Sequence, residues 1–163
     1  MKSRILTRSN MIIAGMALCV LLSVAHARQT KLVDPDPVTI GCNLSTEKMN
    51  EAIRRGGAKR GWQIVSQNPG DTELKYVKGN NKHTLWVNVS HTSNTFAVTY
   101  KDSDNLNYTV PSKDDIDDLD YVNDLDPKHA VTDGVPLIHP RPVGWMKNLS
   151  RDIKDATHAL CFE

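Results

Sequence analysis

Five side chains suited to ligand recognition stand at the borders of the elements this chain is expected to form: Arg60, Trp62, Tyr108, His139 and Trp145. Aromatic faces beside a guanidinium and an imidazole suit the lining of a small binding groove, where apolar surface gives affinity and a few polar groups fix orientation. A structural part suits them equally, since tryptophans anchor small cores and their polar edges find backbone partners. Of six histidines, the five beyond residue 27, His83, His91, His129, His139 and His158, show no pairing at metal-ligand spacing. Asp115, Asp117, Asp118 and Asp120 supply carboxylate oxygens, the donors that hard cations take. Yet the stretch has no glycine before Gly134 and no glutamate, both of which a calcium loop needs. It reads as a solvated, self-repelling loop, with weak divalent-ion association as the alternative. His158 and Cys161 are three residues apart and would share a helix face, the arrangement of a thiol and its base.

The fate of that thiol depends on the compartment. Lys2, Arg4 and Arg8 precede an apolar or small run from Met11 to Val24, which ends in Ala25-His26-Ala27. A basic start, a short apolar core and a small-x-small end describe a cleavable export signal over residues 1–27, cut after Ala27. The apolar run is shorter than the roughly 20 residues that span a bilayer, so no transmembrane helix is expected in the mature chain. Lipid attachment through Cys19 is the alternative, although Leu18 stands where a small residue is needed and the apolar run continues past Cys19. Processing leaves Cys42 and Cys161, most simply a disulfide in an oxidising compartment. Closing so long a loop restricts the unfolded chain by roughly 4–5 kcal/mol on the entropic account. A bonded Cys161 is no nucleophile.

Charge narrows the partners. Of 20 basic side chains, three lie in the export signal, so the 19 acids outnumber the rest by two and nucleic acid is not favoured. The charge is uneven: from Asp102 to Asp126 stand nine aspartates and one lysine, Lys113. Residues 109–135 therefore read as a mobile acidic loop outside the core, drawn electrostatically towards Arg54, Arg55, Lys59 and Arg60.

The elements that must position the candidate residues follow from periodicity. Residues 28–43, with Asp34-Pro35-Asp36-Pro37, read as an extended lead to a single domain over 44–163. Ser45 caps a first helix with Met49, Ala52, Ile53 and Gly56 on one face, and Gly61 takes the left-handed stop. Gly56 and Gly57 weaken a helix, so a neighbouring backbone is expected close by. Trp62–Gln67, Thr72–Lys78, His83–Ser90 and Thr95–Lys101 read as strands separated by turn residues. Leu85, Val87 and Val89 alternate with polar neighbours, as do Phe96, Val98 and Tyr100, so one sheet face is buried. A second helix after Pro142 carries Trp145 (or Met146), Leu149, Ile153, Ala156 and Leu160 as its stripe. The fold class is α+β: a helix, a four-stranded antiparallel meander and a second helix, with both helices on one face. Antiparallel helices bring Cys42 beside Cys161.

Three stretches together resemble a family of small proteobacterial exported proteins, many of them lipoproteins: Gly57-Ala58-Lys59-Arg60-Gly61-Trp62, Leu106-Asn107-Tyr108 at the end of the last hairpin, and Ile138-His139 followed by Trp145-Met146-Lys147-Asn148-Leu149. The likeness covers about residues 44–108 and 138–154. It implies the compartment and the fold and assigns no functional residue. The chain departs from that pattern in its poor lipidation site and in the acidic insertion, where relatives have a short turn. Asn-x-Ser/Thr triplets at Asn43, Asn88, Asn107 and Asn148 would matter only in a eukaryotic secretory pathway.

The expected function is a non-catalytic periplasmic or secreted accessory module that needs no cofactor and acts on an envelope protein partner or a small polar ligand. The alternative is a small periplasmic hydrolase or metal-dependent enzyme using His139 with acidic-loop carboxylates. The processing expectation has a direct test. Intact mass of protein from an envelope fraction should give a chain beginning at Arg28, and an acylated N-terminal Cys19 would overturn it.

Overall fold

The computed structural model describes residues 29–114 and 134–163. In chain order the elements are β1 (Thr30–Lys31), β2 (Val38–Thr39), α1 (Thr46–Ala58), β3 (Gln63–Asn68), β4 (Asp71–Lys78), β5 (His83–His91), β6 (Thr95–Asp104), β7 (Leu137–Ile138) and α2 (Pro140–Leu160). Strands β2 to β6 form one antiparallel sheet in the order β2-β6-β5-β4-β3, and β1 pairs with β7 in a separate ribbon. The fold is α+β, as the periodicity predicts, but the sheet has five strands and not four. The extra one, β2, is two residues long and follows Pro37, so no alternation marks it. It is recruited because Val38 and Thr39 lie opposite Phe96 and Thr95 at the sheet edge. The expected lead is thus extended and paired twice with the domain, and it buries Ile40.

Alternation sets which face is covered. Leu74, Leu85, Val87, Val89, Phe96 and Val98 are buried on one side of the sheet, and both helices pack there, α1 on β3 and β4, α2 on β6. Met49, Ala52 and Ile53 of α1 and Met146, Leu149 and Ile153 of α2 complete a single core. Met146, not Trp145, is the buried member of the α2 stripe; Trp145 stands half-buried at its margin.

The two helices run antiparallel and touch backbone to backbone. A Cβ on Gly56 would lie 2.7 Å from Ile153 Cα and 2.9 Å from the Asp152 carbonyl carbon. A Cβ on Gly57 would meet the Leu74 side chain at 2.9 Å. The helix-weakening pair is therefore what lets α1 sit against both α2 and the sheet. At the other end of the crossing the Lys48 ammonium donates to the Leu160 carbonyl at 3.3 Å, and Cys42 is disulfide-bonded to Cys161 with Cα atoms 5.9 Å apart. The thiol–base arrangement with His158 does not exist, and the His158 ring instead packs on Phe162.

The ends of the acidic segment are tied down. Thr109 and Leu137 exchange backbone hydrogen bonds of 2.9 and 2.8 Å, and Gly134 N–H donates to Pro111 O at 3.0 Å. The aspartates Asp115, Asp117, Asp118 and Asp120 lie outside the described residues, as do His129, Cys19 and Ala27. Among the described residues no helix is long and apolar enough to cross a membrane.

Two glycines of the helices give a matched experiment. Gly56→Ala drives a methyl group into rigid backbone and should destabilise the domain by about 1–3 kcal/mol in chemical denaturation. Gly144→Ala, in the first turns of α2 with nothing within 4 Å, should be neutral or stabilise by up to about 1 kcal/mol. Equal effects would mean that the helices do not cross at Gly56.

Candidate functional site

The end of α1 delivers two of the candidate residues. Gly61 takes φ +80°, and the helix closes with Trp62 N–H donating to Gly57 O at 3.0 Å and Gly61 N–H to Ala58 O at 3.1 Å. This pair of bonds is the left-handed helix stop that glycine makes accessible. It sends Arg60 towards α2 and folds Trp62 under the sheet margin. Trp62 then packs on Tyr76 of β4 with ring centroids 5.1 Å apart and planes tilted by 33°. Tyr76 in turn meets Trp145 of α2 edge-on, at 5.0 Å and 68°.

Beneath these rings lies an ion-pair cluster centred on Asp152. Its residue is 2% exposed. Arg60 donates its Nε–H to one carboxylate oxygen, and the Lys59 ammonium stands 3.0 Å from the other. Lys59 also reaches Asp155 at 3.6 Å. Burial acts to raise the Asp152 pKa, but the hydrogen bonds and charges of Arg60 and Lys59 together outweigh it and hold the carboxyl below its ordinary value. Further back on α1, Arg54 and Arg55 both bind Glu51, whose carboxyl these hydrogen bonds push down to about 2. Arg55 additionally reaches Glu163 at 3.1 Å. The basic end of α1 is thus engaged by Glu51, Asp152, Asp155 and Glu163. The acidic segment expected to meet it lies, apart from its ends, outside the described residues.

Two open hollows share Trp145. Lys59, Arg60, Trp62, Tyr76, Trp145 and Asn148 line a groove of about 410 Å³. On the other side of Trp145, a second hollow of about 260 Å³ is lined by Lys78, His83, Asn105, Asn107, His139 and Arg141. His139 is fixed there from two sides: its N–H donates to Leu106 O at 2.9 Å, and its Nδ1 accepts the Arg141 N–H at 3.2 Å, capping α2. That bond leaves Nε2 carrying the proton of the neutral ring. His83 is held the opposite way, Nδ1 donating to Asn105 O at 2.7 Å and Nε2 left as acceptor in the neutral ring.

Four of the five candidate residues therefore gather around Trp145: Arg60, Trp62 and Trp145 in the larger groove, His139 in the smaller. Tyr108 does not join them. It stacks on Tyr100 at 5.1 Å and 9° and lines neither hollow. Tyr76 and Asn148 are site residues that sequence reasoning missed. Tyr76 follows the buried alternation of β4 and reads as core, whereas the sheet margin leaves it half-exposed. Asn148 stands three residues after Trp145, one helical turn on, and that spacing was the available clue.

Among the described residues no carboxylate lines the hollow that holds His139, and no cluster of His, Cys, Asp and Glu is placed to hold a metal ion. No family model, no curated protein and no solved structure matches this chain.

The Asp152 cluster gives a pH dependence. A carboxyl held below its unfolded value stabilises the fold at pH above that value, about 3.9 for aspartate, and the contribution is lost as pH falls through the folded pKa. Asp152→Asn should therefore unfold more easily than the parent at pH 7. The gap should narrow progressively as pH falls below about 4, and a gap independent of pH would refute the ion-pair account.

Proposed function

We propose that this chain is an exported, non-catalytic binding module of the cell envelope, periplasmic or secreted, whose ligand site is the groove walled by Trp62, Tyr76 and Trp145. The observation that carries this reading is the convergence of Arg60, Trp62 and Trp145, from the end of α1 and from α2, on one open groove of about 410 Å³. A half-exposed tryptophan and tyrosine beside an arginine, a lysine and a carboxamide form a surface with apolar faces and fixed donors, the composition that orients small polar ligands. The export signal and the disulfide between Cys42 and Cys161 support the envelope assignment. The resemblance to small proteobacterial exported proteins supports it as well.

The three tryptophans report on this reading separately. Trp62 and Trp145 line the groove, whereas Trp86, between buried Leu85 and Val87, projects from the opposite sheet face. Nitrogen-15 spectra recorded while small-molecule fractions of envelope extract are added should show the Trp62 and Trp145 indole signals moving with Trp86 unchanged. Movement of Trp86 alone, or of no indole with any fraction, would dispose of the groove as the site.

A further inference from the structure

Resting on the groove reading, we propose that the ligand is an anionic saccharide lying across Trp145, its ring against the aromatic wall and its acidic group in the Lys78–Arg141 hollow. The first argument is continuity. Trp145 lines both hollows, so a ligand longer than one ring that occupies the larger groove extends past this indole into the smaller one.

The second argument is charge. In the larger groove Arg60 and Lys59 are committed to buried Asp152. In the smaller hollow, among the described residues, Lys78 and Arg141 make no ion pair and no carboxylate lines the cavity. Two cations without an ion-pair partner among the described residues stand beside the His139 cap and favour an oxyanion, and a guanidinium fork suits the paired oxygens of a carboxylate or phosphate.

The third argument is the shape of the aromatic wall. The rings are inclined to one another by 33° and 68°. They form no parallel slot for a planar base. Trp62 is buried and Tyr76 and Trp145 stand half-exposed, and the negative face of an exposed aromatic ring attracts the positive C–H edges of a puckered sugar. Around these faces stand hydrogen-bonding groups that match hydroxyls. The Asn148 carbonyl oxygen accepts from Arg151 at 2.7 Å, which leaves its NH2 group to donate. His83 Nε2 offers an acceptor and His139 Nε2–H a donor, since the opposite nitrogen of each ring is engaged.

The test is calorimetric titration of the full mature chain with trigalacturonic acid, maltotriose, glucose 6-phosphate, adenosine monophosphate and inorganic phosphate, at low and high salt. One of the two anionic sugars should bind at least about tenfold tighter than maltotriose, with an advantage that shrinks as salt screens it; which one wins tells carboxylate from phosphate. The double variant Lys78→Gln/Arg141→Gln should remove that advantage, so that acidic and neutral sugars bind alike. Trp145→Ala should weaken both sugar classes by about tenfold. Circular dichroism of each variant separates lost binding from lost fold, and Trp145→Phe, which keeps an aromatic face, should restore most of the affinity.

Equal binding of neutral and acidic sugars would overturn the anion assignment while leaving the groove intact. Inorganic phosphate binding as tightly as the sugars, indifferent to Trp145→Ala, would reduce the hollow to a simple anion site. Tightest binding of adenosine monophosphate would replace the saccharide with a nucleotide. If none of these probes binds although an envelope fraction shifts the Trp62 and Trp145 indoles, the saccharide inference falls and the groove reading stands.

Discussion

The structure depends on one contact, the approach of α1 to α2 at Gly56. With Ile153 Cα only 2.7 Å from where a Cβ would sit, the helix axes are as close as glycine permits. Every feature of the site inherits that spacing. It places Asp152 beneath Lys59 and Arg60, lets Trp62 turn under the sheet margin, and brings Trp145 to the edge of Tyr76. The crossing is an expensive way to pack, because adjacent glycines weaken α1 by about 1 kcal/mol each relative to alanine. The gain is a helix pair thin enough to leave Tyr76 and Trp145 half outside the core.

The electrostatics follow from the same geometry. A buried aspartate is tolerated only with partners, and here the partners are two cations whose stems lie on the surface, 57% and 40% exposed at the side chain for Lys59 and Arg60. Such an arrangement fixes the guanidinium without burying it. Arg60 is therefore a rigid donor at the rim of the groove, while Lys78 and Arg141 make no ion pair among the described residues.

Much of this architecture is legible in the residues. Met49, Ala52, Ile53 and Gly56 mark a helix face because their spacing is helical, and Leu85, Val87 and Val89 mark a sheet face because theirs alternates. Cys42 and Cys161 were placed together by the antiparallel helices before any distance was known. β2 was not legible, since two residues after a proline carry no period, and it exists only because β6 offers an edge. The site was half legible. Arg60, Trp62, His139 and Trp145 stand out as unusual types at element borders. Tyr76 looks like core until the sheet margin is located, and Tyr108 looks available until Tyr100 is found beneath it. Asp152 was invisible for a different reason: a lone aspartate in a helix reads as solvent-facing until its crossing partner is known.

The bond between Cys42 and Cys161 joins residues 119 apart in sequence. Topologically, the domain is a closed ring with short tails. A protease that cuts one peptide bond anywhere within that ring opens it without releasing a fragment, and the two new ends stay tethered through sulfur. A nick costs this molecule its continuity but not its parts, so the helices and sheet remain at the high mutual concentration that covalent linkage provides. The nicked ring can also refold as a unit, which a linear chain cut at the same place cannot.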